Sequence, residues 1–129
     1  MDVIILFEAS ETTPKISFNS SIRSFELEGY SLPNNPFGFY KDVIVKIVDH
    51  VNDQSINGFS INFKLKYFNT ASTKSFHELI KKINEYCIQN NLTFNIIWEL
   101  DSDEDDVKET VLIFQELFKN VPFTITEIN

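Results

Sequence analysis

A chain of 129 residues is the size of one domain, so a second folded unit is not expected. At 43% hydrophobic and 23% charged it is too apolar for disorder, and a formal charge of −8 argues against binding phosphate backbones, so no nucleic-acid partner is expected. The single cysteine, Cys87, excludes an internal disulfide and a cysteine-rich zinc site, and the longest apolar run, Val3 to Phe7, is far short of the ~20 residues of a membrane span, so no membrane partner and a cytoplasmic location are expected.

Val3 to Glu8 is apolar and β-branched, and Lys15 to Phe18 followed by Phe25, Leu27 and Tyr30 alternates around Asn19, Ser20 and Ser21. This predicts two or three opening strands that include a hairpin. The loop Pro33-Asn34-Asn35-Pro36 precedes a helix, since proline suits a helix's first turn. Tyr40, Val43, Ile44, Ile47, Val48 and Val51 then recur at helical spacing. Asn57 and Gly58 break that helix, and Phe59, Ile61, Phe63, Leu65 and Tyr67 alternate with polar residues as a strand with one buried face. Helical spacing returns at Phe76, Leu79, Ile80, Ile83 and Cys87, ending near Gln89 to Asn91. A strand from Thr93 to Leu100 leads into an acidic run and a third helix with Val107, Val111, Phe114, Leu117 and Phe118. Pro122 is expected to stop that helix, and Phe123 to Ile128 gives the last strand. The fold class is α/β, a mixed and partly parallel sheet with three main helices and an N-terminal β-hairpin, in one domain over residues 1–129.

Searches for chemistry mostly fail. Gly29, Gly38 and Gly58 are too far apart for a glycine-rich phosphate loop. His77-Glu78 opens like a two-histidine metal motif, but Lys81 stands at the closing position. His50 and His77 fall on different helices and read as surface histidines, and Cys87 falls on an apolar stripe where a buried structural thiol is expected. The run Asp101, Ser102, Asp103, Glu104, Asp105, Asp106 could bind a hard cation, could dock a basic partner, or could meet the positive end of the third helix; the helix role is expected. A small metal-dependent enzyme using Asp101, Asp103 and Asp105 is the corresponding minority reading.

The junction before the second helix is the most informative stretch. Asn69, Thr70, Ser72, Thr73 and Ser75 crowd an amide and four hydroxyls together; any of them could be the N-cap, and Ser75 with Glu78 fits a capping box. One cap suffices for a helix, so the surplus is unexplained by capping alone; on composition capping is still the expected role and regulation the alternative, and the exit of a strand in an open α/β sheet is also a natural ligand or recognition edge. A phosphate on one of these hydroxyls would meet the positive end of the helix and add about −1.5 to −2 charges.

The segment Asn62-Phe63-Lys64-Leu65-Lys66-Tyr67-Phe68-Asn69-Thr70-Ala71-Ser72 closely resembles the signature of the SiaC-type regulatory phosphoproteins of bacteria, which are STAS-like and similar to anti-sigma factor antagonists. The similarity extends through Thr13 to Ile16, Gly29 to Pro33, Phe39-Tyr40, Trp98, Asp103 to Asp105 and Pro122-Phe123, with departures at Tyr30, Asn34 and Thr110-Val111 that bear on partner identity. The resemblance implies a STAS-like, non-enzymatic partner switch with no catalytic residue, cofactor or metal. Its phosphoacceptor would be Thr70, within a switch region of Asn69, Ala71, Ser72, Thr73 and Lys74, and Tyr67 or Phe68 would be buried support. The implied partners are a protein kinase, a PP2C-type phosphatase, and a diguanylate cyclase or other effector that the unphosphorylated form binds and activates, with cyclic di-GMP and biofilm behaviour as output. A constitutive interaction module without phosphorylation is the alternative.

Overall fold

Apolar residues at alternate positions make strands, and those at every third or fourth position make helices that cover them. In the computed structural model, which describes residues 2–101 and 105–128, nine elements follow from these periods. They run β1 (Val3–Phe7), β2 (Lys15–Asn19), β3 (Ser24–Ser31), α1 (Pro36–Asp53), β4 (Phe59–Phe68), α2 (Thr70–Gln89), β5 (Phe94–Asp101), α3 (Asp105–Leu117) and β6 (Phe123–Ile128). The sheet takes the order β1-β2-β3-β4-β5-β6. The first three strands pair antiparallel as hairpins, and β3 to β6 pair parallel across helical crossovers.

The three helices share one face of the sheet. Register aligns Leu27, Phe63 and Trp98 across β3, β4 and β5, and that face meets α2 through Phe63 and Phe76 at 5.6 Å and α3 through Trp98 and Phe114 at 5.8 Å. On α1, His50 lies 5.9 Å from Phe25 of the same face. Phe63 stacks on Trp98 at 4.0 Å and 7°, at the centre of a core that also takes in Tyr40, Ile47, Leu79 and Ile80. The opposite face is polar, with Lys64 paired to Glu26 at 3.1 Å and reaching Glu99 at 4.0 Å. Burial lowers the affinity of Lys64 for its proton, but the Glu26 hydrogen bond and the charges of Glu26, Glu99 and Glu28 outweigh it and raise its pKa.

Two expectations are corrected by this architecture. The third helix ends at Leu117, well before Pro122, and Leu117 is exposed while Phe118 beyond the end is buried. The alternation of β4 fails at its C-terminal end. Gly29 pairs with Leu65 but Tyr30 pairs with Tyr67, so Lys66 is the extra residue of a β-bulge. The bulge turns Tyr67 outward, 49% exposed, and turns Phe68 inward to 5.2 Å from Phe76. Gly29, opposite the bulge, has φ +118°, a conformation that only glycine adopts without strain.

Candidate functional site

The β4–α2 junction is built by that bulge. With Phe68 anchored in the core, Asn69 follows in extended conformation and donates its backbone N–H to the Ser31 carbonyl at 3.0 Å, extending the β3–β4 ladder by one step. Asn69 is the N-cap of α2. Its Oδ1 accepts from the Ser72 N–H at 3.0 Å and from the Ser72 hydroxyl at 2.7 Å. The helix therefore starts at Thr70, so Asn69 is the cap in use among those the stretch offers, and Ser75, the capping-box alternative, is a buried residue within the helix. An amide that already sits against β3 takes the capping role before the serine can.

A buried hydroxyl chain lies beneath the junction. The Tyr40 hydroxyl is 2.6 Å from Ser31 Oγ, which is 2.8 Å from Ser72 Oγ. Ser72 also reaches the Ser31 carbonyl at 3.1 Å. Burial raises the Tyr40 pKa and the Ser31 hydrogen bond lowers it; burial prevails, so the phenol keeps its proton. The chain thus links the end of β3, the second turn of α1 and the first turn of α2.

The switch-region residues divide by this geometry. Ser72 is buried and Asn69 and Thr73 are half-buried, while Thr70, Ala71 and Lys74 are exposed. Thr70 occupies the first position of α2, and among the described residues its side chain makes no hydrogen bond. A first turn leaves the Thr70 and Ala71 N–H groups without intrahelical acceptors, and no acidic residue stands in it. Lys74 follows Thr70 by one turn, the spacing at which side chains on a helix meet. Tyr30 and Tyr67, paired across β3 and β4 beside the junction, are both exposed. A groove of about 380 Å³ runs between α1 and α2, its wall formed by Phe37, Tyr40, Ile44 and Ser75.

Ser31 and Tyr40 were not singled out by sequence reasoning. A tyrosine on the apolar stripe of a helix was the available signal, because a buried phenol needs a hydrogen-bond partner. The other sequence candidates lie elsewhere. His50 rests against Phe18 at 4.7 Å and His77 against Phe118 at 5.2 Å. Cys87 is buried, and burial pushes its thiol up to about 11. Asp105 and Asp106 stand in the first turn of α3, Asp101 ends β5, and residues 102–104 of the acidic run lie outside the described residues. Among the described residues no group of three or more His, Cys, Asp or Glu could hold a metal ion, and no helix is long and apolar enough to cross a membrane. The strand order never reverses, so the crevice of a doubly wound sheet is not formed and the junction lies on an open rim.

Comparison with known proteins converges on one family. The family described as SiaC family regulatory phosphoprotein matches residues 7–128. A comparison with curated protein sequences finds no match. Among solved structures, the chain is similar to one chain of a crystal structure of diguanylate cyclase SiaD in complex with its activator SiaC from Pseudomonas aeruginosa, with a TM-score of 0.77 and 22% identity over 97% of this chain and 99% of that one. It is similar to SiaC of Pseudomonas aeruginosa, with a TM-score of 0.74 and 22% identity over 99% of this chain and 100% of that one. Apo-SiaC from the same organism gives a TM-score of 0.75 and 22% identity over 98% and 99% of the two chains.

Proposed function

Since the chain belongs to the SiaC family of regulatory phosphoproteins, we propose that it is a non-enzymatic partner switch whose phosphoacceptor is Thr70. A protein kinase phosphorylates Thr70, a PP2C-type phosphatase removes the phosphate, and the unphosphorylated form binds and activates a diguanylate cyclase. The observation that carries this reading is the placement of Thr70: exposed, with no side-chain hydrogen bond among the described residues, and first in a helix whose initial turn holds no carboxylate. A phosphate there gains from the free N–H groups of the turn, from the helix dipole and from Lys74 one turn on, so the domain stays folded in both states.

Charge then does the switching. Exposed Tyr30 and Tyr67 give the rim aromatic contact area of the kind that anchors protein partners. About −1.5 to −2 charges added beside them must be desolvated or repelled by whatever sits there, and an apolar or acidic partner surface is ejected. The test is a calorimetric titration of the diguanylate cyclase from the same organism with the two forms of the chain. Binding of the unphosphorylated form and at least tenfold weaker binding of the form phosphorylated on Thr70 support the switch. Equal binding of both forms points instead to a constitutive interaction module.

A further inference from the structure

Thr70 and Ala71 are bracketed by two residues tied to the same point. Asn69 is held to Ser31 by its backbone N–H at 3.0 Å, and Ser72 is held to Ser31 by its hydroxyl, 2.8 Å from Oγ and 3.1 Å from the carbonyl oxygen. Asn69 and Ser72 are also bound to each other through Oδ1. Ser31 is itself fixed at the end of a paired strand and by Tyr40 at 2.6 Å. The two exposed residues therefore form an arch over a triangle of hydrogen bonds. One run of protons satisfies the side chains in order: the Tyr40 hydroxyl donates to Ser31 Oγ, the Ser31 hydroxyl to Ser72 Oγ, and the Ser72 hydroxyl to Asn69 Oδ1.

Capping alone does not require this chain, because the Ser72 N–H already donates to Asn69 Oδ1. What the hydroxyls add is fixation of the helix start against β3 and α1, at the place where Thr70 projects. We propose that Ser31, Ser72 and Tyr40 are positioning residues for phosphotransfer to Thr70, buried groups that hold the acceptor hydroxyl at a fixed height above the rim; this rests on the reading of Thr70 as phosphoacceptor. In that transfer Thr70 Oγ1 attacks the γ-phosphorus of ATP, the bond from that phosphorus to the bridging oxygen breaks to leave ADP, and the hydroxyl proton passes to a base of the kinase. Catalysis of this step is largely alignment of acceptor and phosphorus, so an acceptor displaced by about 1 Å can lose up to about a hundredfold in rate.

The experiment compares the full-length wild type with Ser72→Ala and Tyr40→Phe as substrates of the kinase purified from the same organism by its activity on the wild type. Initial rates of phosphate incorporation at Thr70 are read by site-localised mass spectrometry over a range of substrate concentrations. The proposal expects kcat to fall by roughly tenfold for Ser72→Ala and about threefold for Tyr40→Phe, with KM within about twofold of wild type. Tyr40→Phe removes one oxygen and keeps the ring against Phe76, so it decides the matter if Ser72→Ala does not fold. Unchanged kcat in folded variants, or a raised KM with unchanged kcat, overturns the positioning role while Thr70 remains the acceptor. A wild-type chain that takes no phosphate on Thr70 overturns the reading of Thr70 itself and this role with it.

Discussion

Two adjacent strand-to-helix junctions on the same rim of the sheet solve one electrostatic problem in opposite ways. At β5–α3, Asp105 and Asp106 place carboxylates in the first turn, where they meet the positive end of the helix. At β4–α2 the first turn is Thr70, Ala71, Ser72 and Thr73, uncharged, with its cap supplied by Asn69 from outside the helix. The acidic junction has already spent its positive pole on fixed charge. The neutral one leaves that pole open, and an exposed hydroxyl stands at it. A phosphate gains most at a helix start where no carboxylate has taken its place.

The largest effect separating the junctions is all or none. Thr70→Ala is expected to abolish phosphorylation of the chain by its kinase while leaving the urea midpoint unchanged, since the side chain is exposed and makes no hydrogen bond; phosphate retained on another residue breaks the contrast. Next comes the cap. Asn69→Ala is expected to cost about 1 kcal/mol in urea unfolding, because Oδ1 serves both Ser72 groups. Asn69→Asp makes the neutral junction resemble its acidic neighbour: stability is held to within a few tenths of a kcal/mol, yet phosphorylation of Thr70 stabilises the variant less than wild type at low salt, measured by urea titration of both forms.

At the other junction the expected effects are smaller. Asp105→Asn and Asp106→Asn should each cost about 0.3 to 1 kcal/mol in low salt, less in high salt, and leave phosphorylation at Thr70 untouched. The far end of α2 supplies the control with no effect at neutral pH. The Cys87 thiol is raised from 9.0 to about 11 by burial, so the folded state holds this proton while the unfolded state releases it. The stability it contributes is fully present below pH 9 and is lost as pH rises toward 11, a loss absent in Cys87→Ala; alkylation of the wild type at pH 7 should require unfolding.

Most of the frame was legible from periodicity. The stripe from Tyr40 to Val51, the alternation from Phe59 to Phe63 and the last strand from Phe123 are local patterns with one solution each. The bulge at Lys66 was not legible, because it depends on the pairing of Tyr30 with Tyr67, and it is what sends Tyr67 out and Phe68 in. Which of the several possible caps starts α2 was not legible for the same reason. Ser75 and Glu78 have the spacing of a cap, but Asn69 is positioned by Ser31, a residue distant in sequence and adjacent only in the sheet. The exposure of Val3, Ile4 and Ile5 is likewise a property of an edge strand and not of its apolar sequence. At the candidate site, Asn69 was legible as one possible cap and Thr70 is what the resemblance implies, whereas the contacts of Ser31 with Tyr40 and Ser72 depend on three-dimensional neighbours.

The central claim is that Thr70, at the open helix start, is the modified residue. Its most direct test is intact-mass and site-localised mass spectrometry on the protein isolated from its own cells under several growth conditions, beside Thr70→Ala. A single phosphate localised to Thr70, absent from the variant and present in changing proportion between conditions, is the predicted result. A chain that stays unmodified throughout, or carries its phosphate on another residue, contradicts it.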